Sequence, residues 1–313
     1  MHLISGGNLV VELDERRGGE ITQIRYGEQL ILASYDWPSP IGVNSSTSYG
    51  NAKLDWLSEY RGGWQLLVPN AGAACEVEGV PLPFHGEWSR THVSVATRAV
   101  DRVTLTAGTR LPLVVEREIR VVEQPDRVLV TTRVRNTTRQ PSHFIWGEHP
   151  AFVVGDGDTI DFPDSTMYSA DGENLGQWPS LKSGRQLNRV DTSQPTESVH
   201  FLVGFTRGWA ALRRGTYGVA LSWNVNDFPY AWLWHEIASP GFPFYGRASL
   251  VAIEPASSWP GHGLAAAITA GQAIRLEPNE ERSTVVALIP FVDDGHAVTD
   301  VNLDGHLNFS STS

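Results

Sequence analysis

The chain has 313 residues, a formal net charge of −11, a single cysteine and 41% hydrophobic residues. That composition supports a sizeable core in one large domain, and a lone Cys75 excludes an internal disulfide framework. The acidic balance, with no basic stripe to release counterions, argues against nucleic acid or an anionic membrane as partner.

Taken in order, the chain is written in strand period. Residues 9–13, 21–26 and 30–32 are apolar-rich, with Gly27-Glu28 as a turn. Residues 93–97 and 103–107 pair in the same style. Residues 114–122 and 128–136 alternate apolar and polar across Pro125-Asp126, as a half-buried antiparallel strand requires. Further strands are predicted at 199–206, 209–213, 218–224, 230–236, 248–254, 266–270 and 283–291. The one short helix predicted is Asn51–Tyr60, and residues 36–50 and 155–191, rich in Gly, Asp, Ser and Pro, read as loops. One β domain is expected over 1–291, followed by a polar tail, 292–313, that frays. No run approaches the roughly 20 apolar residues of a membrane helix and no signal peptide is evident. A cytoplasmic monomer or homodimer is expected. Many strands with few helices give an all-β sandwich or barrel.

Three groups interrupt these strands in ways that suit chemistry. Glu254 ends the apolar run Leu250-Val251-Ala252-Ile253 before Pro255, sharing strand parity with Leu250 and Ala252. Burial there raises a carboxylate pKa and makes it a better proton acceptor near neutral pH. His149 precedes Pro150, which holds it extended, and His85 lies between Phe84 and Gly86. Each also has a structural reading: a Glu capped by backbone N–H groups, a core histidine, a turn histidine. Several of the eleven Trp, Trp232 and Trp234 among them, neighbour charged or turn residues. Aromatic faces of that kind suit the C–H faces of sugars. A metal site built from His85, His149 and Glu254 stays open on the residues alone. Neither a His-Glu-x-x-His helix, a Gly-x-Ser-x-Gly elbow, a phosphate loop nor a dinucleotide fingerprint appears.

As an ordered set, these segments resemble the aldose 1-epimerase (galactose mutarotase-like) superfamily. The set is Arg61-Gly62-Gly63-Trp64, Pro83-Phe84-His85-Gly86-Glu87-Trp88, Gly147-Glu148-His149-Pro150-Ala151-Phe152, Val251-Ala252-Ile253-Glu254-Pro255 and Arg275-Leu276-Glu277-Pro278-Asn279. The resemblance implies a large antiparallel β-supersandwich with a sugar in a cleft on its concave face. It implies interconversion of α and β anomers of a hexose or hexose derivative, with no metal or organic cofactor. In that scheme Glu254 is the base at the anomeric hydroxyl, His149 the acid at the ring oxygen, and His85 a hydrogen-bonding partner of that oxygen. Arg61 becomes a hydroxyl ligand; Trp232 and Trp234 are candidate aromatic walls by their neighbours alone. The chain departs from the family pattern where Glu148 and Pro150 flank the second histidine and Ala256 follows the Glu-Pro pair. The residue that grips hydroxyls, an Asp in the family pattern, is not fixed: Asp227 and His235 both qualify. Arg90 hints at a branch acting on sugar phosphates. A non-catalytic sugar binder and a metal-dependent isomerase or lyase are the alternatives from other classes. The acid–base scheme requires Glu254 and His149 to face one cavity about a sugar ring wide.

Overall fold

The computed structural model describes residues 2–36 and 50–311. Two antiparallel sheets dominate it. The larger has 12 strands; its central run is Trp64–Leu67, Gly147–Val153, Ser249–Ala256, Tyr230–Ile237 and Thr196–Val203, in that spatial order. The second has eight strands, centred on Glu281–Val292, Arg127–Asn136 and Leu113–Val122. The predicted all-β supersandwich is what forms, and its register follows side-chain alternation. Along Leu113–Val122, buried residues alternate with half-exposed ones, so one face packs on the other sheet and one meets water.

The central strands of the larger sheet lack that alternation. Every residue of the 148–152 stretch and of 250–256 is buried, so both faces are covered. The inner face meets the second sheet through an ionic contact: Glu148 lies 2.9 Å from the Arg117 guanidinium, both almost wholly buried. It also accepts hydrogen bonds from Trp64 Nε1 (2.7 Å) and Thr132 Oγ1 (3.2 Å). The outer face is covered in part by helix α1, Ala52–Glu59, close to its predicted span. Asn51 caps it by accepting the Leu54 N–H. Trp56, Leu57 and Tyr60 pack against Ala151, Trp234, Leu250 and Ala252 in an apolar cluster of their own. α1 thus leans over the middle of the larger sheet, and the groove beside it is the cleft described below.

Three expectations are corrected. The predicted strand at 266–270 is helix α2, Leu264–Thr269. Its three consecutive alanines follow Gly263, and alanine has the best helix propensity of any residue. The predicted 155–191 loop holds four short strands, Thr159–Asp161, Thr166–Tyr168, Asn174–Gln177 and Ser180–Leu181. They are two to four residues long and exist by pairing at sheet edges, which leaves too short a pattern to read. The polar tail does not fray where it is described: Val298–Val301 and Leu307–Phe309 form a hairpin whose Val298 and Val301 pack with Trp209, Ile289 and Phe291. Of the predicted 36–50 loop, residues 37–49 lie outside the described residues.

Candidate active site

Glu254 and His149 stand on adjacent strands of the larger sheet and on the same outer face. Opposite Glu254 in register is Trp232, and opposite Ala252 is Trp234, so both tryptophans share that face. His149 pairs in register with Gln65 on its other side. Glu148, one residue earlier, points into the inter-sheet core, as strand alternation demands. His149 Nε2 lies 3.5 Å from Glu254 Oε1. The two are 1% and 3% exposed. They face one cavity of about 220 Å3, lined also by Trp56, Phe84, His85, Phe201, Trp232 and Trp234. That is below the about 300–1,000 Å3 of sites for drug-sized ligands, so the occupant is small.

His85 reaches the cavity from a tight turn. Its own backbone is left-handed (φ 59°), and so is that of Gly86 (φ 75°). A Cβ on Gly86 would lie 2.5 Å from the Val68 carbonyl oxygen, so only glycine fits there. The Gly72 N–H donates to His85 Nδ1 at 3.1 Å. With Nδ1 an acceptor, the neutral ring carries its proton on Nε2, and His85 can donate a hydrogen bond from that nitrogen. The three side chains cluster tightly: the His85 and His149 rings are 5.6 Å apart, and Trp56 lies 4.6 Å from one and 5.5 Å from the other.

Burial sets the protonation of this group. It pushes the Glu254 carboxyl well above its ordinary range, and one of its oxygens, Oε2, has no hydrogen-bond partner among the described residues. Burial also pulls His149 down to about 4. His85 is held well below its ordinary value by burial, then by His149 and Lys53. Between pH of about 4 and the raised value of Glu254, the Glu254–His149 pair therefore carries one proton. A pair holding one proton can give it to one oxygen while taking another from a second, and 3.5 Å is a spacing from which both groups reach two oxygens bonded to a single carbon.

The remaining predicted ligands fall elsewhere. Arg61 donates to the Ser58 and Tyr60 carbonyls at the end of α1, where the helix leaves acceptors unpaired. Arg90 pairs with Glu59 at 3.3 Å. Both line a separate cavity of about 380 Å3 with Arg16 and Arg17. Asp227 sits in the turn after the Tyr217–Trp223 strand, 3.7 Å from Arg282. His235 follows Trp234, so alternation puts it on the opposite face, in another cavity. None of these four touches the cleft. Several residues that do were not singled out by sequence: Trp56, whose buried Nε1 has no partner among the described residues, His262 at the rim, and Lys53 and Glu197, which stand 3.7 Å apart. His262 had a readable signal, since Gly261 and Gly263 flank it much as Gly86 follows His85. Lys53 and Glu197 are brought together only by α1 docking near the Thr196–Val203 strand. Among the described residues, no set of three or more His, Cys, Asp or Glu side chains has the arrangement of a metal site.

A family model described as a domain of unknown function (DUF4432) matches residues 1–289. No curated protein matches the chain. Among solved structures, the chain superposes on the Slr1438 protein of Synechocystis sp. PCC 6803 with a TM-score of 0.69 at 17% identity, covering 92% of this chain and 94% of that one. A candidate aldose 1-epimerase from Escherichia coli K12 gives 0.69 at 18% identity, covering 93% and 98%. A galactose mutarotase-like protein from Lactobacillus casei ATCC 334 gives 0.64 at 17%, covering 93% and 100%. At these identities the likeness establishes the fold, which is galactose mutarotase-like.

Proposed function

Because the chain belongs to the DUF4432 family of unknown function and carries a galactose mutarotase-like fold, we propose that it is a cofactor-independent aldose 1-epimerase acting on a free hexose or a close derivative. The observation that carries this reading is the buried Glu254–His149 pair, 3.5 Å apart at the floor of a small aromatic-walled cleft. In the tautomer with the proton on His149, Glu254 accepts the proton of the anomeric hydroxyl as the bond between C1 and the ring oxygen breaks. The O–H electron pair becomes the carbonyl π bond, and His149 Nε2–H gives its proton to the departing ring oxygen. His85 donates a hydrogen bond to that oxygen as charge develops. Rotation about C1–C2 and the reverse steps close the ring on the other face and return both protons. Positioned acid–base groups of this kind contribute about 10²–10⁴-fold each in characterised enzymes.

The walls suit the rest of the sugar. Trp56, Trp232 and Trp234 offer faces for C–H groups and Trp56 Nε1 a donor. Lys53, Glu197 and His262 supply hydroxyl-binding groups in place of Asp227 and His235. Lys53 is the one Lys or Arg among the described residues of the cleft lining, and it stands beside Glu197. That charge balance favours a neutral sugar over a sugar phosphate. A protein that only binds sugar would gain nothing from a buried carboxylate with an unpartnered oxygen beside a histidine, which is why turnover is favoured over binding alone. Polarimetry on freshly dissolved single anomers of an aldose panel tests the reading. Faster approach to the equilibrium rotation is expected with at least one sugar; a chain that binds a sugar without changing its rate would establish the binder instead.

A further inference from the structure

His235 has no part in the cleft, yet it is 4% exposed and its Nδ1 has no hydrogen-bond partner among the described residues. It lines the cavity of about 640 Å3 on the opposite face of the larger sheet, with Ile237 beside it and Thr196 opposite Ile237 in register. The facing wall is the segment 185–191, held in place by backbone bonds. Leu187 N–H donates to the Pro179 carbonyl (3.0 Å), Val190 N–H to that of Asp158 (2.8 Å), and Gly157 N–H to that of Val190 (2.9 Å). From this wall come Arg185 and Arg189. Nearby Arg213 and Arg214 pair with Asp161 and Asp158. Arg185 and Arg189, by contrast, have no carboxylate at ion-pair distance among the described residues. Two acidic residues also line the cavity, and both are engaged: Asp156 accepts the Thr192 N–H (3.1 Å) and Asp191 the Ser193 N–H (2.9 Å).

We propose that this cavity is a second binding site, separate from the sugar cleft, for a small hydroxylated phosphate ester. A guanidinium presents forked N–H donors that match phosphate oxygens, and two of them, with no carboxylate at ion-pair distance among the described residues, line this cavity. The buried Nδ1 of neutral His235 is an acceptor and needs an O–H donor, which a hydroxylated ester or a protonated phosphate has and a sulfate at neutral pH lacks. Asp156 and Asp191 offset the guanidinium charge, so a bare anion gains little from net charge, whereas hydroxyls of an ester find acceptors in both carboxylates. The cavity is also far larger than a lone phosphate requires.

Calorimetry at fixed ionic strength with glycerol phosphate, inorganic phosphate and sulfate tests the proposal; none of these is an aldose, so anomer exchange does not enter. The expected order of affinity is glycerol phosphate, then phosphate, then sulfate. The double variant Arg185→Gln/Arg189→Gln, whose side chains are exposed, should bind glycerol phosphate about tenfold or more weakly, the scale of one lost charge-assisted hydrogen-bonding group. His235→Phe should erase the preference for phosphate over sulfate, and His235→Asn should retain part of it. Glu254→Gln should bind as wild type. The proposal is overturned if wild-type protein binds none of the three, if the double arginine variant binds unchanged, or if Glu254→Gln abolishes binding, which would put the ligand in the cleft.

Discussion

Replacing Glu254 with Gln keeps the shape of the side chain and removes its ability to accept a proton. If Glu254 is the base, the loss is the general-base contribution, about 10²–10⁴-fold, equivalent to about 2.7–5.4 kcal/mol of barrier. Stability should move the other way. The carboxyl is buried and its pKa is raised above the ordinary 4.5. The folded state therefore binds more protons than the unfolded state between pH 4.5 and the raised value, and stability falls with pH across that window. A neutral amide removes this loss, so at pH 7–8 the variant should melt at or above the wild-type temperature. Saturation transfer between the α and β anomeric proton signals, together with thermal unfolding at pH 5 and pH 8, measures both effects. A folded variant within threefold of the wild-type exchange rate would refute the assignment. So would a melting temperature that drops more at pH 8 than at pH 5, since that would mean the charge stabilises the fold.

The rate of exchange should follow a bell-shaped pH profile. It falls as pH drops through about 4, where His149 and Glu254 are both protonated and no base remains, and again above the raised value of Glu254, where the shared proton is lost and no acid remains. A rate that does not fall as pH drops through about 4 would contradict the one-proton pair. His85→Gln should lower kcat by about 10²–10³-fold with a smaller effect on KM, as for loss of one donor to a developing oxyanion; an effect confined to KM would make His85 a binding residue only. Arg117→Met should destabilise the protein by about 3–5 kcal/mol by leaving Glu148 buried without its partner. The double variant Arg117→Met/Glu148→Leu should recover much of that loss. Equal destabilisation in urea titrations of the two would show that the ion pair is not what the single variant breaks.

Much of the fold is legible because an antiparallel sheet covered on one face writes its geometry as alternation; the Leu113–Val122 and Arg127–Asn136 strands are the clearest case. Glu254, His149 and His85 are legible for a related reason. Each breaks an apolar or extended run beside a Pro or Gly, and a polar group placed there is exposed to a cleft or held at a turn. The far end of the cleft is not legible because it depends on register and docking. Trp234 and His235 are neighbours in sequence, and only the pairing with Val251 and Ala252 decides which one faces the cleft. Trp56 and Lys53 reach that cleft because α1 packs over Trp234 and Leu250, a contact spanning well over a hundred residues. Arg61 and Arg90 sit close in sequence to the right motifs, but the carbonyls at the end of α1 and the Glu59 carboxylate draw them away.

The central claim is that Glu254 and His149 act on the two oxygens of one anomeric carbon. A crystal structure of the wild-type protein with an aldose bound tests it most directly. Glu254 should lie within about 2.6–3.2 Å of the anomeric hydroxyl and His149 Nε2 within the same reach of the ring oxygen, with the ring against Trp232 or Trp234. A sugar seated in the cleft with its anomeric carbon turned away from both groups would contradict the account.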